Sequence, residues 1–457
     1  MGLTRGLARL ILLASAAATV VLTCPSIVLA SGGFVATGNL ITPRRTHTAT
    51  LLLDGRVFVI CGNNGIANTG NAEIYNPATG TWSAAPGLFL PCIGNTATLL
   101  NDGRVLVGGS PGATGGTMNV YNPALNSWDS AGAVVPRTFY TATRLLDGRV
   151  VAAGGATAII GEHSGAEIYN PATNAWTPAG FMANSRKDHT ATLLQDGRIL
   201  VVGGRSTFPA DTPLAGAELY NPATNTWSAT GNLNQARRSH TAVLLDNGKV
   251  LIVGGTGAGV LSSAEVYDPA TGLFSLAGSS MGSPRTGHTA AKLQGGDVLI
   301  AGGSDGSSPL ATAELFDPPT NGFQPIPAAM TGPREGHTAT TLNDGRVLIA
   351  GFGAELYDPL LVVPACTLSV TLNYTPGQLE IQQTWTSTVS TVLSAWGSAG
   401  SAVAHLWSVS TAAAPLPVNS SVTIPVPQAH TIGILATMAT STEGILCSAW
   451  QTIDTGP

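Results

Sequence analysis

The chain has 457 residues, a formal net charge of −5 at pH 7, and charged side chains at only 10% of its positions. A weakly acidic chain without basic clusters argues against nucleic acid or anionic lipid as a partner. Hydrophobic residues make up 44% of the chain and glycine is abundant. This composition is too apolar for a disordered chain and is typical of all-β proteins with glycine-rich turns.

Residues 1–30 are predicted to be a secretory signal peptide. Two arginines precede an apolar run from Leu10 to Thr23, and Val28-Leu29-Ala30 ends the segment. The run is short for a membrane span, and no other segment is a candidate, so we predict no membrane span. We therefore expect a secreted or periplasmic protein. The alternatives are a disordered N-terminus and, through Cys24, a lipoprotein.

From residue 31 to residue 360 one pattern recurs about every 48 residues. Its clearest copy is AELYNPATNTW, which begins at Ala217, followed by ARRSHTAVLLDNGKVLIVGG, which ends at Gly255. Such self-similarity indicates a repeat architecture. One position of the repeat, occupied by His240 in this copy, can be followed through all seven copies. We call the residues at this position the ring residues: His47, Asn95, Tyr140, His189, His240, His288 and His337.

Each copy contains the signals for four strands. Short β-branched runs such as TATLLL and RVFVI flank an Asp-Gly or Asn-Gly step, as at Asp54-Gly55. We predict a two-residue hairpin turn there, because these residues tolerate positive φ. A double glycine such as Gly203-Gly204 follows the second strand, and a second strand pair with Asn-Pro or Asp-Pro at its corner completes the unit.

Four strands per unit, a double glycine and a late tryptophan make the chain resemble the bacterial kelch-repeat proteins and, through them, the central domain of galactose oxidase. The resemblance implies a seven-bladed β-propeller over residues 31–360. Phe34 precedes His47 by the same spacing as Trp227 precedes His240, and the seventh unit has no tryptophan strand of its own. We therefore predict that the strand near Phe34 completes the seventh blade and closes the ring.

The repeat stops before Leu361, and residues 361–457 contain no Lys or Arg. Alternating segments such as TLSVTLNY predict a small immunoglobulin-like β-sandwich. Its four tryptophans are either core residues or a sugar-stacking face. Cys366 and Cys447 are expected to pair across this domain, since an exported protein favours disulfides.

Cys61 and Cys92 stand at special places in the repeat. Cys61 replaces the first glycine of the pair in unit 1, and Cys92 replaces the arginine of unit 2. Both positions should lie on one face in neighbouring blades, so we predict a second disulfide, with two buried free thiols as the alternative.

Two further charges recur in six of the seven units, and unit 2 lacks both, having Cys92 and Asn119 instead. Because unit 2 lacks both charged residues, we predict that they form an ion pair in each of the other six units. These six pairs should be buried and structural, and each should lie within one blade or between neighbouring blades. The arginines are Arg44, Arg137, Arg186, Arg237, Arg285 and Arg334. The glutamates are Glu73, Glu167, Glu218, Glu265, Glu314 and Glu355.

The ring residues open the innermost strand near the mouth of the central channel, which makes them candidate ligand-binding residues. Neutral imidazoles also bind transition metals. The resemblance to galactose oxidase implies that a copper site is one alternative. The sequence departs from that pattern, because no Tyr-His pair occurs and Cys92 is better placed for Cys61. We therefore predict no metal and no cofactor, and a histidine that is hydrogen-bonded inside its own blade.

No phosphate-binding loop or zinc-spaced cysteine cluster is present, and no catalytic residue is assigned. The loops after the double glycines vary while the strands repeat, and function on a rigid scaffold usually lies in such loops. They span residues 63–71, 110–117, 156–165, 205–216, 256–263 and 304–312. We predict an exported binding or scaffold propeller whose ligand is a protein or a cell-envelope glycan. The alternatives are a copper-dependent oxidoreductase resembling galactose oxidase and a glycan-processing hydrolase or epimerase.

Overall fold

A computed structural model describes the chain over residues 18–20, 32–88, 92, 94–108, 116–135, 137–157, 161–206, 212–361, 367–375, 378–387, 391–399, 402–411, 414–425, 431–440 and 444–454. It divides into two compact units, one of Ser31–Leu361 and one of Met1–Ala30 with Val362–Pro457. Every regular element in these ranges is a strand, which confirms the all-β class.

Seven four-stranded antiparallel sheets form the first unit and confirm the seven-bladed propeller. We label the strands of a blade a to d from the inside outward, because each strand a contacts the a strands of both neighbouring blades. Blade 1 has Thr48–Leu51, Val57–Ile60, Ala72–Asn76 and Thr81–Ala85. Blade 2 has Thr96–Leu99, Val105–Gly108, Gly116–Asn122 and Ser127–Val134. Blade 3 has Thr141–Arg144, Val150–Ala153, Gly165–Asn170 and Ala175–Phe181.

Blade 4 has Thr190–Leu193, Ile199–Val202, Ala217–Asn221 and Thr226–Ala229. Blade 5 has Thr241–Leu244, Val250–Val253, Ala264–Asp268 and Leu273–Leu276. Blade 6 has Thr289–Lys292, Val298–Ala301, Ala313–Asp317 and Gly322–Pro325. Blade 7 has Thr338–Thr341, Val347–Ala350 and Ala354–Asp358 as strands a to c.

The N-terminal strand Gly33–Ala36 is strand d of blade 7, which confirms the predicted closure. Phe34 pairs with Tyr357 in the register, and their ring centroids are 5.4 Å apart. The last blade is therefore built from both ends of the propeller sequence, so no blade is left with an unpaired strand c.

The hydrophobic core lies between the blades. Strand b is buried along its whole length in every blade, because its alternate side chains face the two neighbouring sheets. In blade 1, Phe58 and Ile60 pack against blade 2, whereas Val57 and Val59 pack against blade 7. This two-sided burial explains why the sequence of strand b is an uninterrupted apolar run instead of an alternating one.

The turn between strands a and b differs from the predicted two-residue hairpin. In blade 1 Leu52 N donates to Arg56 O at 2.8 Å and Gly55 N donates to Leu52 O at 3.0 Å. Of the two turn residues only Gly55 has a positive φ, of 85°. The loop has three residues, a type I turn that ends in the left-handed Gly55. The prediction of a two-residue turn was wrong because Asp54 does not adopt the positive φ which that turn requires. Its side chain instead accepts a hydrogen bond from Arg56 N at 3.0 Å.

The second unit contains two four-stranded antiparallel sheets. The strand order is Ala18–Val20, Thr367–Thr375, Gln378–Ser387 and Ala414–Pro425 in one sheet. In the other it is Ala402–Thr411, Thr391–Ala399, Thr431–Thr440 and Gly444–Asp454. Two such sheets are what a β-sandwich requires. Ala18–Val20 lies within the predicted signal peptide, which stays a prediction. The residues that the structure describes include no helix with the length and apolarity needed to cross a bilayer.

Candidate functional site

Strand direction gives the propeller two distinct faces. Strand a begins and strand b ends on one face, which carries the ring residues, the double glycines and the variable loops; we call it the histidine face. Strand a ends on the opposite face, at the Asp-Gly turns, which we call the turn face. The contacts that follow lie on the histidine face.

Six arginine–glutamate pairs hold the histidine face together, and each lies within a single blade. The pairs are Arg44–Glu73 at 2.6 Å, Arg137–Glu167, Arg186–Glu218 at 2.6 Å, Arg237–Glu265 at 3.0 Å, Arg285–Glu314 at 2.7 Å and Arg334–Glu355 at 2.5 Å. All six arginine side chains are buried. We call each pair with its backbone contacts a clamp.

Blade 5 shows what a clamp joins. Arg237 Nη1 donates to the carbonyls of Gly254 at 3.0 Å and Ser263 at 2.9 Å. Glu265 accepts hydrogen bonds from the backbone N–H groups of Asn234 at 2.8 Å and Gln235 at 3.0 Å. The clamp therefore ties the segment before strand a to the end of strand b and the start of strand c. Burial lowers the pKa of Arg237, and the negative charge of Glu265 opposes that shift.

Blade 2 has a disulfide where the other blades have an arginine. Cys61 and Cys92 are bonded, with their Cα atoms 5.3 Å apart, and both are buried. The bond joins the end of strand b in blade 1 to the segment before strand a in blade 2. Cys366 lies outside the described residues, so its pairing with Cys447 stays a prediction.

The ring residues form hydrogen bonds between blades, each to the first threonine of strand a in the preceding blade. The seven contacts are Thr338–His47 at 2.9 Å, Thr48–Asn95 at 3.0 Å, Thr96–Tyr140 at 2.9 Å, Thr141–His189 at 3.1 Å, Thr190–His240 at 2.9 Å, Thr241–His288 at 2.9 Å and Thr289–His337 at 2.9 Å. Together they make a closed cycle around the axis. The prediction of a bond inside the same blade was therefore wrong.

The five ring histidines are neutral and inaccessible to a ligand. Each is at most 7% exposed. Burial lowers the pKa of all five imidazoles to about 3, and the arginine of the same blade lowers it further. The structure thus places these side chains between blades and not at an open mouth, unlike the predicted ligand-binding arrangement.

The double glycine is required by these interblade contacts. A Cβ atom on Gly203 would lie 2.5 Å from the carbonyl of Arg237 and 3.0 Å from Cε1 of His240, both in the next blade. A Cβ atom on Gly204 would lie 2.8 Å from Cβ of His189 in its own blade. Both glycines also have a positive φ, a backbone conformation that glycine adopts more easily than other residues. The pair is therefore a spacer that lets two successive ring histidines approach strand b.

The residue before each ring residue has a left-handed backbone in all seven blades. We call these residues the collar: Thr46 (φ 53°), Gly94 (55°), Phe139 (56°), Asp188 (55°), Ser239 (52°), Gly287 (62°) and Gly336 (61°). Backbone hydrogen bonds join them in sequence, as from Phe139 N to Gly94 O at 2.9 Å and from Ser239 N to Asp188 O at 3.0 Å. The collar lies one residue before the histidine ring in each blade, and most of its side chains are accessible.

Thr46 and Phe139 are the two collar residues whose side chains disfavour this backbone, and Phe139 is the aromatic one. A left-handed backbone is uncommon for a bulky residue and costs about 1–2 kcal/mol. Three other collar positions avoid that cost with glycine. Phe139 is nevertheless 43% exposed, and its ring lies over Gly94, where a Cβ atom would come within 3.1 Å of the ring.

Loops between strands b and c begin on the same face as the collar. In blades 3 and 4 they contain small hairpins, Ala156–Thr157 with Gly161–Glu162 and Arg205–Ser206 with Thr212–Pro213. Ion pairs fix them to the collar region, from Lys187 to Glu162 at 2.8 Å and from Arg205 to Asp188 at 2.7 Å. Ile66 in the blade 1 loop is 94% exposed.

The ring residues do not fit a copper centre. Each imidazole Nε2 is engaged with a threonine, Tyr140 is bonded to Thr96 and Met118, and Cys92 is consumed by the disulfide. No three His, Cys, Asp or Glu side chains in the described part of the chain come together as metal ligands.

Comparison with known proteins agrees with this architecture. The Kelch motif model matches residues 44–88, 188–234 and 237–281, which confirms the predicted repeat. The protein is thus a seven-bladed β-propeller that carries Kelch motifs.

Three individual proteins illustrate the similarity. The Kelch repeat-containing protein kel-10 of Caenorhabditis elegans is 36% identical over 81 residues, 18% of this chain and 14% of that protein. The Spermatocyte protein spe-26 of the same organism is 34% identical over 91 residues, 20% of this chain and 15% of that protein. Among solved structures, a fungal alcohol oxidase of the AA5 family in complex with copper has a TM-score of 0.59 and 17% identity, covering 93% of this chain and 100% of that one. At that identity the likeness shows the fold alone.

Proposed function

We propose that the protein is an exported binding or scaffold propeller that recognises its ligand on the histidine face, with Phe139 at the centre of the contact. The ligand is a protein or a cell-envelope glycan. The Kelch propeller supports a binding role, and the collar and its loops supply a polar and aromatic surface on a rigid base.

The observation that carries this proposal is the conformation of Phe139. The collar accepts glycine at Gly94, Gly287 and Gly336, so an aromatic ring is not needed to form it. Phe139 adds backbone strain and exposes apolar surface, both of which work against folding. Strained residues persist mainly at ligand clamps and active sites, and aromatic rings contact both sugars and protein side chains.

Export is part of the proposal. The apolar N-terminal run supports it, and so does the Cys61–Cys92 disulfide, because disulfides persist in oxidising compartments and are rare in the cytosol.

Replacing Phe139 with glycine is expected to abolish binding without loss of stability. Capture of the mature protein on a glycan array and in pull-down from an envelope extract should fall at least tenfold, about 1.4 kcal/mol. The free energy of unfolding should change by no more than about 1 kcal/mol, since relief of strain offsets the entropy of glycine.

Matched variants locate the effect. Phe139→Tyr keeps the ring and should retain capture. Phe181→Ala removes a 73% exposed ring from the outer strand of blade 3, and Leu146→Ala removes a 71% exposed side chain from the turn face. Neither should change capture. Equal losses in Phe139→Gly and Leu146→Ala would contradict recognition on the histidine face.

The second candidate is a copper-dependent oxidoreductase. A fungal alcohol oxidase in complex with copper has a similar fold, although the ring residues of this chain do not fit a copper centre. Stoichiometric copper in protein isolated from its export compartment, together with peroxide formed from primary alcohols, would establish this function in place of the first. Protein without copper that still captures a ligand through Phe139 would support the binding role.

A further inference from the structure

Three departures from the repeat occur in the neighbouring blades 1 and 2. Cys92 and Asn119 replace the arginine and the glutamate of the clamp, and Cys61 of blade 1 replaces the first glycine of a pair. The other six blades keep the arginine and the glutamate.

The joint between other neighbouring blades shows which contact has been exchanged. The second glycine of blade 3, Gly155, donates its N–H to the carbonyl of Arg186 in blade 4 at 2.8 Å. A Cβ atom on the first glycine, Gly154, would lie 2.6 Å from that carbonyl. The first glycine and the next arginine are therefore in contact through their backbones, and no side chain fits at the glycine.

Cys61 has the backbone conformation of those glycines, with a φ of 68° against 67° at Gly154 and 60° at Gly203. It adds a side chain at the point where the next arginine would stand, and that side chain is bonded to Cys92. The joint thus keeps its geometry while a covalent bond between blades takes the place of a clamp inside one blade.

We propose that the Cys61–Cys92 disulfide replaces the missing clamp of blade 2 and makes this blade the redox-sensitive element of the propeller. A dithiol reductant transfers two electrons and two protons to the bond, giving two cysteine thiols and the disulfide of the reductant. The joint between blades 1 and 2 then loses its covalent bond, and blade 2 has no arginine–glutamate pair.

The consequence for binding rests on the proposed function. Cys92, no longer bonded to blade 1, lies two residues before Gly94, on which the ring of Phe139 rests. Loss of order there removes the support of the proposed contact. Both cysteines are at most 1% exposed, so a reductant reaches the bond only when the joint opens.

The test compares reduction with repair of the repeat, in full-length mature protein carrying Cys366→Ser and Cys447→Ser so that a single disulfide is possible. The repaired variant is Cys61→Gly with Cys92→Arg and Asn119→Glu, which restores a clamp. Its control is Cys61→Gly with Cys92→Arg alone, which buries an arginine without its glutamate. Urea unfolding is measured with and without dithiothreitol.

Reduction should lower the urea midpoint of the background protein by about 1 M and raise hydrogen exchange first in Thr96–Leu99 of blade 2. The repaired variant should unfold at one midpoint in both conditions, above that of its control. An unchanged midpoint on reduction, exchange that rises equally in all blades, or a repaired variant no more stable than its control would overturn the proposal. These results do not depend on ligand capture, so they can fail separately from the proposed function.

Discussion

Lowering the pH from 7 to 5 is expected to destabilise the propeller by up to about 10 kcal/mol. Burial lowers the pKa of each ring histidine to about 3 in the folded protein, whereas the unfolded chain titrates near 6.5. Between pH 6.5 and 3 the five histidines therefore bind protons in the unfolded state but not in the folded state. Stability is fully present above pH 6.5 and is lost as the pH falls towards 3. At pH 5 each histidine contributes about 2 kcal/mol to this loss.

The charges around the ring do not relieve this penalty. The arginine of the same blade faces every ring histidine, and His240 also faces His189 and His288. Protonation would therefore place five cations in a buried cycle whose nearest charges are positive. A domain of ordinary stability, about 5–15 kcal/mol, should unfold in mild acid.

Ring variants test the assignment of this pH dependence. His240→Asn keeps a hydrogen-bonding group, as Asn95 does in blade 2, and should reduce the pH slope of the unfolding free energy by about 1.4 kcal/mol per pH unit. Asn95→His should increase it by a similar amount. Urea titrations between about pH 5.5 and 7.5 measure both. Identical slopes in the two variants would show that other groups control the acid response.

Removing one partner of a clamp is expected to cost about 3–5 kcal/mol. In Glu218→Ala the guanidinium of Arg186 loses its carboxylate at 2.6 Å while remaining buried, and a stranded buried charge is strongly destabilising. The backbone N–H of Ala183 also loses the carboxylate that accepts its hydrogen bond at 2.8 Å. Urea denaturation at pH 7 measures the loss.

The same blade provides the control. Asp196 pairs with Arg198 at 2.7 Å in the turn of blade 4, with side chains 45% and 33% exposed. Exposed pairs contribute about 0–1 kcal/mol, so Asp196→Ala should change stability little. A double variant, Arg186→Met with Glu218→Ala, should be less damaged than Glu218→Ala because no charge is left unpaired. If all three variants unfolded at the wild-type midpoint, the clamps would have no role in stability.

Most of the fold could be predicted because the seven copies of the repeat can be compared with one another within a single sequence. The number of blades follows from the ring residues, and the closing strand follows from the match between the segments at Phe34 and Trp227. The simultaneous loss of arginine and glutamate in blade 2 pointed to pairs that the structure places within one blade. Such reasoning works when a contact involves positions that change together.

The ring and the collar were harder to predict, for different reasons. The partner of each ring residue is the threonine that directly follows the ring residue of the preceding blade. A threonine stands after the ring residue in all seven copies, a pattern more constant than the histidine itself. That signal was present, but a bond to the next blade depends on how sheets pack and not on sequence distance. A left-handed backbone is suggested by Gly94, Gly287 and Gly336, whereas Thr46 and Phe139 give no such indication.

The repeated histidines join the blades, and we propose that ligand recognition lies with the collar. Histidine-selective ¹⁵N NMR of the folded protein between pH 7.5 and 5.5 tests this division of roles. The five ring imidazoles should remain neutral across this range, with Nε2 of each hydrogen-bonded to a threonine of the preceding blade. Five imidazoles that titrate near pH 6.5, or that broaden when Cu²⁺ is added, would place them at an accessible site and contradict the account.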